Sequence, residues 1–223
     1  MTAKQIAAEK SVEFIKDGMI LGLGTGTTVY FFIQKLATLV KSGLNVTCVS
    51  TSKQTTKLAD SLGIKITELN SVDKIDLTID GADRIDKKLN GIKGGGGALL
   101  FEKIVANISK RNIWIIESSK YVDVLGGFPV PVEVSPFGSD HLLKKLKYMG
   151  LNPQRRKSEN KIYLTDSGNQ IFDLDLKKID DPIKLENDLK MLPGVVEVGL
   201  FNNIVDLVIL GSDTKTEIIE RNK

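Results

Sequence analysis

The fold is decided by a strand–glycine–helix stretch, Met19-Ile20-Leu21-Gly22-Leu23-Gly24-Thr25-Gly26-Thr27-Thr28. Its first half, Met19 to Leu23, is a short apolar run typical of a buried strand, and the apolar spacing from Val29 to Lys41 predicts a helix directly after the glycines. Backbone N–H groups at the start of a helix suit an anionic oxygen, because the helix dipole is positive at that end. The stretch therefore predicts an α/β fold with a glycine turn that can cradle phosphate.

The composition is that of an ordinary globular chain of 223 residues with a formal net charge of +3. This mild charge indicates neither a nucleic acid nor a membrane as partner, and it tolerates a phosphorylated small substrate. The single cysteine, Cys48, lies in an apolar run, which excludes disulfides and a cysteine metal site. The N-terminus lacks the order of a signal peptide and no apolar segment is long enough for a bilayer, so we expect a cytoplasmic protein.

Polar clusters follow three further predicted strands, at Asn45 to Val49, Ile75 to Ile79 and Asn112 to Ile116. The clusters are Ser50-Thr51-Ser52, Asp80-Gly81-Ala82-Asp83 and Glu117-Ser118-Ser119-Lys120. Since ligands of open α/β sheets bind at the carboxyl ends of the strands, we expect these clusters on one rim of one sheet. The alternative for the two aspartates is that they only cap the next turn. No acid follows the second strand to bind a ribose, which argues against a dinucleotide cofactor.

A second glycine stretch has the sequence Lys93-Gly94-Gly95-Gly96-Gly97-Ala98-Leu99-Leu100-Phe101-Glu102. Because glycine loses more backbone entropy on folding than any other residue, such a run indicates that something approaches its backbone closely. Lys93 adds a positive charge beside N–H groups that suit an anionic oxygen. The alternative is a flexible linker beside a salt-bridged glutamate.

Glu102 is predicted to lie on the buried face of a helix from Ala98 to Ser109. Its neighbours three and four residues away are all apolar: Ala98, Leu99, Val105 and Ala106. Burial disfavours the charged carboxylate and raises its pKa, so Glu102 is a candidate general base near neutral pH.

The pattern changes near Gly126-Gly127 and then follows the order βαββαβ of a ferredoxin-like domain. Its six predicted elements are Phe128 to Val134, Asp140 to Met149, Lys161 to Leu164, Gln170 to Leu174, Lys184 to Leu192 and Val195 to Leu200. Arg155 to Lys157, between the first helix and the central pair of strands, is predicted to be extended and basic. We therefore predict a Rossmann-like domain of residues 1–126 and 201–223, with an α+β domain of residues 127–200 inserted into it. Val205 to Leu210 is predicted to return to the first sheet, and Thr216 to Arg221 to form a terminal helix.

Several isolated residues receive structural rather than functional interpretations. His141 begins a predicted helix away from the polar clusters and is assigned a solvated or capping role. Arg155-Arg156-Lys157 is interpreted as a solvated strand edge, and Trp114 as a core residue. Ser118 and Ser119 have no histidine partner in the pattern, so a hydrolase triad is unsupported.

Taken with Pro129-Val130-Pro131-Val132-Glu133 and Pro193-Gly194-Val195-Val196, these motifs closely resemble type A ribose-5-phosphate isomerases in order and spacing, from Lys4 to the last strand. The resemblance implies reversible conversion of ribose 5-phosphate to ribulose 5-phosphate in the non-oxidative branch of the pentose phosphate pathway. It implies no metal and no cofactor, and a homodimer or homotetramer.

The resemblance also implies roles for individual residues. Glu102 matches the general base, which moves a proton between C2 and C1 through a cis-enediolate, and Lys93 matches the residue that stabilises the developing oxyanion. Asp80 and Asp83 match the acids that bind the sugar hydroxyls and assist ring opening and proton traffic. The remaining substrate contacts that the resemblance implies are Lys4, Thr25, Gly26, Thr27, Thr28, Gly81, Ala82, Gly94, Gly95, Gly96 and Lys120.

Two positions depart from the family pattern, and four other functions stay open. Arg84 stands where many relatives carry an acid, and Phe101 where an arginine often precedes the glutamate.

A sugar-phosphate sensor of a transcription regulator would need a helix-turn-helix segment, which we do not expect because the predicted core begins almost at once. A CoA transferase or amino-sugar-phosphate deaminase explains the lysine, glycines and glutamate less well. A dinucleotide-dependent oxidoreductase lacks the ribose acid.

Overall fold

The computed structural model describes residues 1–221, which form two compact units. The helices are α1 (Ala3–Ser11), α2 (Thr27–Lys41), α3 (Lys53–Ser61), α4 (Leu99–Asn107), α5 (Ser139–Tyr148) and α6 (Pro182–Lys190). The strands are β1 (Ile20–Leu23), β2 (Thr47–Ser50), β3 (Leu77–Asp80), β4 (Arg84–Asp86), β5 (Gly91–Ile92), β6 (Asn112–Glu117), β7 (Tyr121–Val122), β8 (Val130–Val134), β9 (Pro153–Arg155), β10 (Lys157–Ser158), β11 (Lys161–Ile162), β12 (Gln170–Leu174), β13 (Val195–Val198), β14 (Leu200–Phe201), β15 (Leu207–Gly211) and β16 (Thr216–Glu220). Short 3-10 helices cover Val12–Phe14, Leu69–Ser71 and Ser118–Lys120.

Unit 1 contains Met1–Ala82, Phe101–Tyr121 and the described chain from Ile204 onward. Its six-stranded sheet has the order β16-β15-β6-β3-β1-β2, in which all neighbours run parallel except β16 on β15. Counted along the chain, the parallel strands follow a doubly wound order in which the switch point lies between β1 and β3. The predicted α/β fold with a mainly parallel sheet is confirmed.

The core of unit 1 lies between this sheet and the apolar faces of α1 and α2. Leu21 on β1, Ile115 on β6 and Phe32 on α2 are all buried in one cluster. Trp114 is buried, as predicted, and so is Cys48 on β2. Burial raises the pKa of the Cys48 thiol to about 12, since the thiolate would lose its hydration.

The predicted C-terminal helix from Thr216 to Arg221 is wrong, because this segment forms β16. It pairs antiparallel with β15, from Leu207 opposite Glu220 to Gly211 opposite Thr216. A helix of so few residues is only marginally stable alone, whereas the strand satisfies the open hydrogen-bonding edge of β15. The β-branched side chains of Thr216, Ile218 and Ile219 also favour a strand.

Unit 2 contains Asp83–Leu100 and Val122–Asn203. Its larger sheet is antiparallel in the order β13-β8-β12-β9, and with α5 and α6 between its strands it gives the predicted ferredoxin-like βαββαβ topology. Buried side chains of β8, β12 and the two helices form its core, including Val132, Phe172, Leu146 and Leu189. The predicted strand near Lys161 pairs with β10 in a separate hairpin rather than with this sheet.

The boundary between the units differs from the predicted domain boundary. Asp83–Leu100, which the sequence pattern placed in the Rossmann-like domain, belongs to unit 2. The reason is strand pairing: β5 pairs antiparallel with both β4 and β14, so this segment is part of a small sheet in the order β14-β5-β4-β7.

Over residues 1–221, no helix has both the length and the apolar character needed to cross a membrane.

Candidate active site

The glycine loop after β1 leads directly into α2 in unit 1, as the sequence predicted. Gly26 precedes the helix with a φ of +120°, in the region that favours glycine. Gly26 and Thr27 are exposed, whereas Thr28 is buried. The exposed start of this 15-residue helix is therefore suited to an anionic group.

Asp80 lies at the carboxyl end of β3, beside this loop, and is only 2% exposed. Its Oδ1 accepts hydrogen bonds from the N–H groups of Gly81 at 2.7 Å and Thr25 at 3.1 Å. The approach is so close that a Cβ on Gly24 would stand 2.0 Å from the same oxygen. Glycine is therefore required at position 24 because the Asp80 side chain leaves no room for a Cβ, and not because of the backbone angles of Gly24.

A cluster of hydroxyl groups supports the other side of the loop. Thr25 Oγ1 lies 2.8 Å from Thr51 Oγ1 and 2.9 Å from Ser52 Oγ. Thr55 Oγ1 donates to the Gly24 carbonyl at 2.8 Å, and Thr51 Oγ1 donates to the Leu23 carbonyl at 3.1 Å. The polar cluster after β2 therefore holds the loop after β1, and Thr55 is a contributor that the sequence analysis did not identify.

Two predicted substrate lysines also belong to unit 1. Lys120 Nζ donates to the carbonyl of Ala82 at 2.9 Å, next to the aspartate motif. Lys4 Nζ lies 3.8 Å from the carboxylate of Glu117, and both side chains are about one third exposed. Both lysines are partly accessible, so each can accept an anionic group without being extracted from a core.

Glu102 lies in the first turn of α4 and is 4% exposed, which confirms its predicted position on the buried face. Lys103, the next residue, is also 4% exposed, which the sequence did not predict. Charged side chains are seldom this deeply buried, and buried ionisable groups are common in functional sites. This helix is therefore a candidate for carrying chemistry.

The second glycine loop belongs to unit 2 and follows β5. Gly95 and Gly96 are exposed, whereas Gly94 and Gly97 are buried with φ values of +103° and +82°. The Gly97 N–H donates to the Gly94 carbonyl at 2.9 Å, which closes the loop into a turn. The run is an ordered turn and not a flexible linker.

Asp83 is held against this loop. Its Oδ2 accepts a hydrogen bond from the Gly95 N–H at 2.8 Å, and a Cβ on Gly95 would stand 2.8 Å from its Oδ1. Its own N–H donates to the Ile92 carbonyl at 2.8 Å. Asp83 is thus oriented by two backbone contacts, one on its side chain and one on its main chain.

Lys93 immediately precedes the loop and is 2% exposed. Its N–H donates to the Gly199 carbonyl at 2.9 Å, and its Nζ lies 5.3 Å from the centroid of the Phe201 ring. An aromatic face stabilises a desolvated ammonium group. Lys93 is therefore buried immediately before the glycine loop, with its side chain against an aromatic ring.

Arg156 contacts the same loop, which overturns its interpretation as part of a solvated edge. Its Nη1 donates to the carbonyls of Gly94 at 2.9 Å and Gly95 at 3.1 Å. Its other nitrogens bind the carboxylate of Asp173. The segment from Arg155 to Lys157 is extended as predicted, but Arg156 faces inward with 15% of its side chain exposed.

Two further residues of unit 2 support this region. The Tyr163 hydroxyl donates to the Gly96 carbonyl at 3.3 Å. Glu133, on β8, is 1% exposed and accepts hydrogen bonds from Thr165 Oγ1 at 2.8 Å and Asn169 Nδ2 at 3.0 Å. Burial raises the pKa of Glu133, and a hydrogen bond with the backbone of Leu100, in the first turn of α4, acts in the opposite direction.

The predicted catalytic residues divide equally between the units. Asp80 and Glu102 belong to unit 1, and Asp83 and Lys93 belong to unit 2. His141, by contrast, is exposed in the first turn of α5, as its structural interpretation expected. Chemically, each unit offers an aspartate carboxylate fixed by backbone N–H groups. Glu102 is a buried group of the kind that transfers protons, and Lys93 is a buried group of the kind that stabilises negative charge.

A family model, curated relatives and solved structures all match this chain. Residues 47–215 match the family model of ribose 5-phosphate isomerase A, also called phosphoriboisomerase A. The chain is 48% identical over 219 residues to ribose-5-phosphate isomerase A of Streptococcus agalactiae serotype III, covering 98% of each chain. Among solved structures, it is similar to a D-ribose-5-phosphate isomerase in complex with phospho-erythronic acid, with a TM-score of 0.95, 39% identity and 98% of both chains covered. The enzyme of Plasmodium falciparum gives a TM-score of 0.95, 35% identity and 99% coverage of both chains.

Proposed function

This chain belongs to the ribose 5-phosphate isomerase A family, and on that premise we propose that it interconverts D-ribose 5-phosphate and D-ribulose 5-phosphate through a cis-enediolate with Glu102 as the general base. The chain is an isomerase enzyme that acts on a phosphorylated pentose. The proposal concerns the path of the proton and the residues that move it.

The observation that carries the proposal is the position of Glu102, 4% exposed in the first turn of α4 directly after an ordered glycine turn. A base that removes a proton from carbon beside a carbonyl works best when its pKa lies near the working pH. Desolvation is the means by which proteins bring a carboxyl to that range. Glu102 takes the proton from C2 of the open-chain aldose and returns it to C1.

The developing negative charge on oxygen needs a positive partner that is already in position. Lys93 meets this requirement, since its ammonium is buried and its backbone is fixed on Gly199. A preorganised charge in a site shielded from water stabilises an oxyanion far more than the same charge in solution. Asp80 and Asp83 bind sugar hydroxyls, assist ring opening and carry the hydroxyl proton that passes from O2 to O1 while the C–H proton passes from C2 to C1.

The phosphate end of the substrate is assigned to the first glycine loop. Thr25, Gly26, Thr27 and Thr28 supply N–H and hydroxyl groups at the exposed start of α2. Lys4 and Lys120 add positive charge, and both are partly accessible. Gly81, Ala82, Gly94, Gly95 and Gly96 complete the proposed substrate contacts.

The test compares wild-type protein with Glu102→Gln in an assay that follows ribulose 5-phosphate formation from ribose 5-phosphate with a chelator present. We expect kcat to fall by roughly 10²–10⁴-fold, the range that a positioned acid–base group supplies. Binding of phospho-erythronic acid, measured by calorimetry, should persist in both proteins. In heavy water, the wild type should place solvent deuterium on C1 of the product, which a direct hydride shift would not do.

Glu133→Gln is the matched control, because it makes the same chemical change at another buried glutamate, 1% exposed. Its kcat should stay within a few-fold of the wild type. If kcat falls equally in the two variants, Glu102 is not the general base. If the wild type binds the analogue but does not turn over ribose 5-phosphate, the proposed mechanism as a whole is wrong.

The same proposal places the reaction in the non-oxidative pentose phosphate pathway. A homodimer or homotetramer and a cytoplasmic location, which the sequence analysis expects, stay predictions, and so does the absence of a metal or cofactor. Sedimentation of the purified protein measures the first of these directly.

A further inference from the structure

Arg156 makes an unusual set of contacts for a residue in a basic run. Its guanidinium binds the carboxylate of Asp173 through Nε at 2.9 Å and Nη2 at 2.5 Å, in a two-pronged ion pair. Its Nη1 meanwhile donates to two successive carbonyls, those of Gly94 and Gly95. The side chains of Arg156 and Asp173 are 15% and 20% exposed, so the pair is well shielded.

The peptide geometry carries the effect of Arg156 across the loop. In a trans peptide the C=O and the following N–H point in opposite directions, and the described chain has no cis peptide bonds. Fixing the Gly94 carbonyl therefore fixes the Gly95 N–H, which donates to Asp83 Oδ2 at 2.8 Å. One peptide plane thus links Arg156 to a carboxylate of the proposed site.

The next peptide plane extends the same argument. Because Arg156 holds the Gly95 carbonyl at 3.1 Å, the Gly96 N–H points away from the guanidinium. Gly95 and Gly96 are the exposed residues of the loop, so this N–H belongs to its accessible part. The Tyr163 hydroxyl then holds the Gly96 carbonyl at 3.3 Å.

Such a loop needs external support. Glycine has the largest backbone entropy to lose, and neither Gly94 nor Gly97 has a side chain with which to anchor itself. A guanidinium offers several N–H donors in a rigid planar fork, so it can bind a carboxylate and two carbonyls at once. A lysine ammonium is a single point charge and cannot reproduce that arrangement.

We propose that Arg156, held by Asp173, is a positioning residue that sets the orientation of the Gly94–Gly96 peptide planes and, through the Gly95 N–H, of the Asp83 carboxylate. This inference rests on the proposed isomerisation for its effect on rate. Arg156 itself stands behind the loop and acts on the reaction only through it.

The adjacent Arg155 supplies a matched control. Its Nη2 binds Ser139 at 3.3 Å and Asp140 at 2.5 Å, and its guanidinium carbon lies 5.4 Å from the centre of the Phe172 ring. It is therefore also a part-buried, ion-paired arginine of the same segment, but these contacts lie on α5 and β12 rather than on the glycine loop. Arg155→Lys makes the same chemical change without touching the loop.

The experiment measures Arg156→Lys, Asp173→Asn and Arg155→Lys beside the wild type. Hydrogen exchange of the peptide covering residues 93–100 reports on the loop without requiring activity, and melting temperature reports on folding. Steady-state kinetics with ribose 5-phosphate separates kcat from KM.

We expect exchange in residues 93–100 to accelerate by about tenfold or more in Arg156→Lys and, less strongly, in Asp173→Asn, as in local opening. We expect kcat to fall by about 10- to 100-fold, because a displacement of about 1 Å in a site costs up to roughly that much, while KM changes less. Arg155→Lys should leave both the exchange and kcat near the wild-type values.

Other results would overturn the proposal. If Arg156→Lys leaves the exchange and kcat unchanged, or if all three variants lower activity only in proportion to their melting temperatures, Arg156 is a structural residue. If the wild type binds the sugar phosphate without isomerising it, the proposed function fails instead, and the exchange data still decide whether Arg156 orders the loop.

Discussion

Two glycine loops in this molecule each hold one aspartate of the Asp80-Gly81-Ala82-Asp83 motif. In unit 1 the Thr25 N–H donates to Asp80, and Gly24 leaves room for that carboxylate. In unit 2 the Gly95 N–H donates to Asp83, and Gly95 leaves the corresponding room. The same device, a backbone donor beside a missing Cβ, is therefore used twice.

The two loops differ in what supports them. The first rests on hydroxyl groups of Thr51 and Ser52, which directly follow β2, and of Thr55, on the next helix, α3. The second is held by Arg156, whose partner Gly94 is 62 residues away in the sequence. Local support comes from the strand order itself, whereas remote support requires a specific side chain from another part of the fold.

The two loops also differ in how near each glycine lies to its aspartate. The nearer of the two, Gly24, gives the largest expected effect of a substitution. In Gly24→Ala the new Cβ would lie 2.0 Å from Asp80 Oδ1 and 2.6 Å from Asp80 Cα, so the backbone of β3 must move. We expect kcat to fall by at least about 10²-fold. We also expect a loss of at least ~3 kcal/mol of unfolding free energy, at the upper end of overpacking costs. Steady-state kinetics and urea unfolding measure both quantities, and a fully stable, active variant would contradict the close approach.

Gly95→Ala should have a smaller effect, because its Cβ would meet only the end of the Asp83 side chain, at 2.8 to 3.1 Å. That side chain can rotate away at little cost to folding. We expect kcat to fall by about tenfold, with a free energy of unfolding within ~0.5 kcal/mol of the wild type, the usual range for an exposed substitution. A stability loss as large as that of Gly24→Ala would show that the two loops are equally constrained.

Glu133→Gln tests the unit that contains the second loop, through the pH dependence of its stability relative to the wild type. Burial raises the pKa of Glu133 above its ordinary value of 4.5, so the folded state binds the proton more tightly than the unfolded state. The contribution of the Glu133 carboxyl to the free energy of unfolding of the wild type is therefore greatest below pH 4.5. This contribution is lost as the pH rises through the pKa of the folded state. The variant cannot ionise, so its melting temperature relative to the wild type should rise between pH 4 and pH 7. If the difference in melting temperature between the variant and the wild type stays constant across this range, Glu133 does not titrate there and the prediction is wrong.

Much of this arrangement could be predicted because it depends on strand order. Each short apolar run before a glycine or polar cluster became a parallel strand of unit 1, and their carboxyl ends necessarily share one edge. The apolar neighbours of Glu102 likewise placed it on a buried face. Asp80 and Thr25 meet for the same reason, since β1 and β3 are neighbours in the sheet.

The parts that could not be predicted depend on contacts distant in sequence. Arg156 lies in a basic run that is usual for solvated edges, and only the position of Gly94 and Asp173 shows that it faces inward. The segment from Thr216 becomes a strand because β15 offers an open edge, a fact absent from its own residues. The placement of Asp83–Leu100 in unit 2 is decided by pairing with β14, far along the chain.

The buried thiol on β2 has a practical consequence for labelling chemistry. Cys48 is the single cysteine, it is fully buried, and its pKa of about 12 keeps it protonated and unreactive toward maleimides in the native protein. A substitution such as Phe137→Cys, at a side chain 95% exposed, would create one selectively reactive site. Fluorescent or spin probes can thus be attached to this protein without first removing its native cysteine.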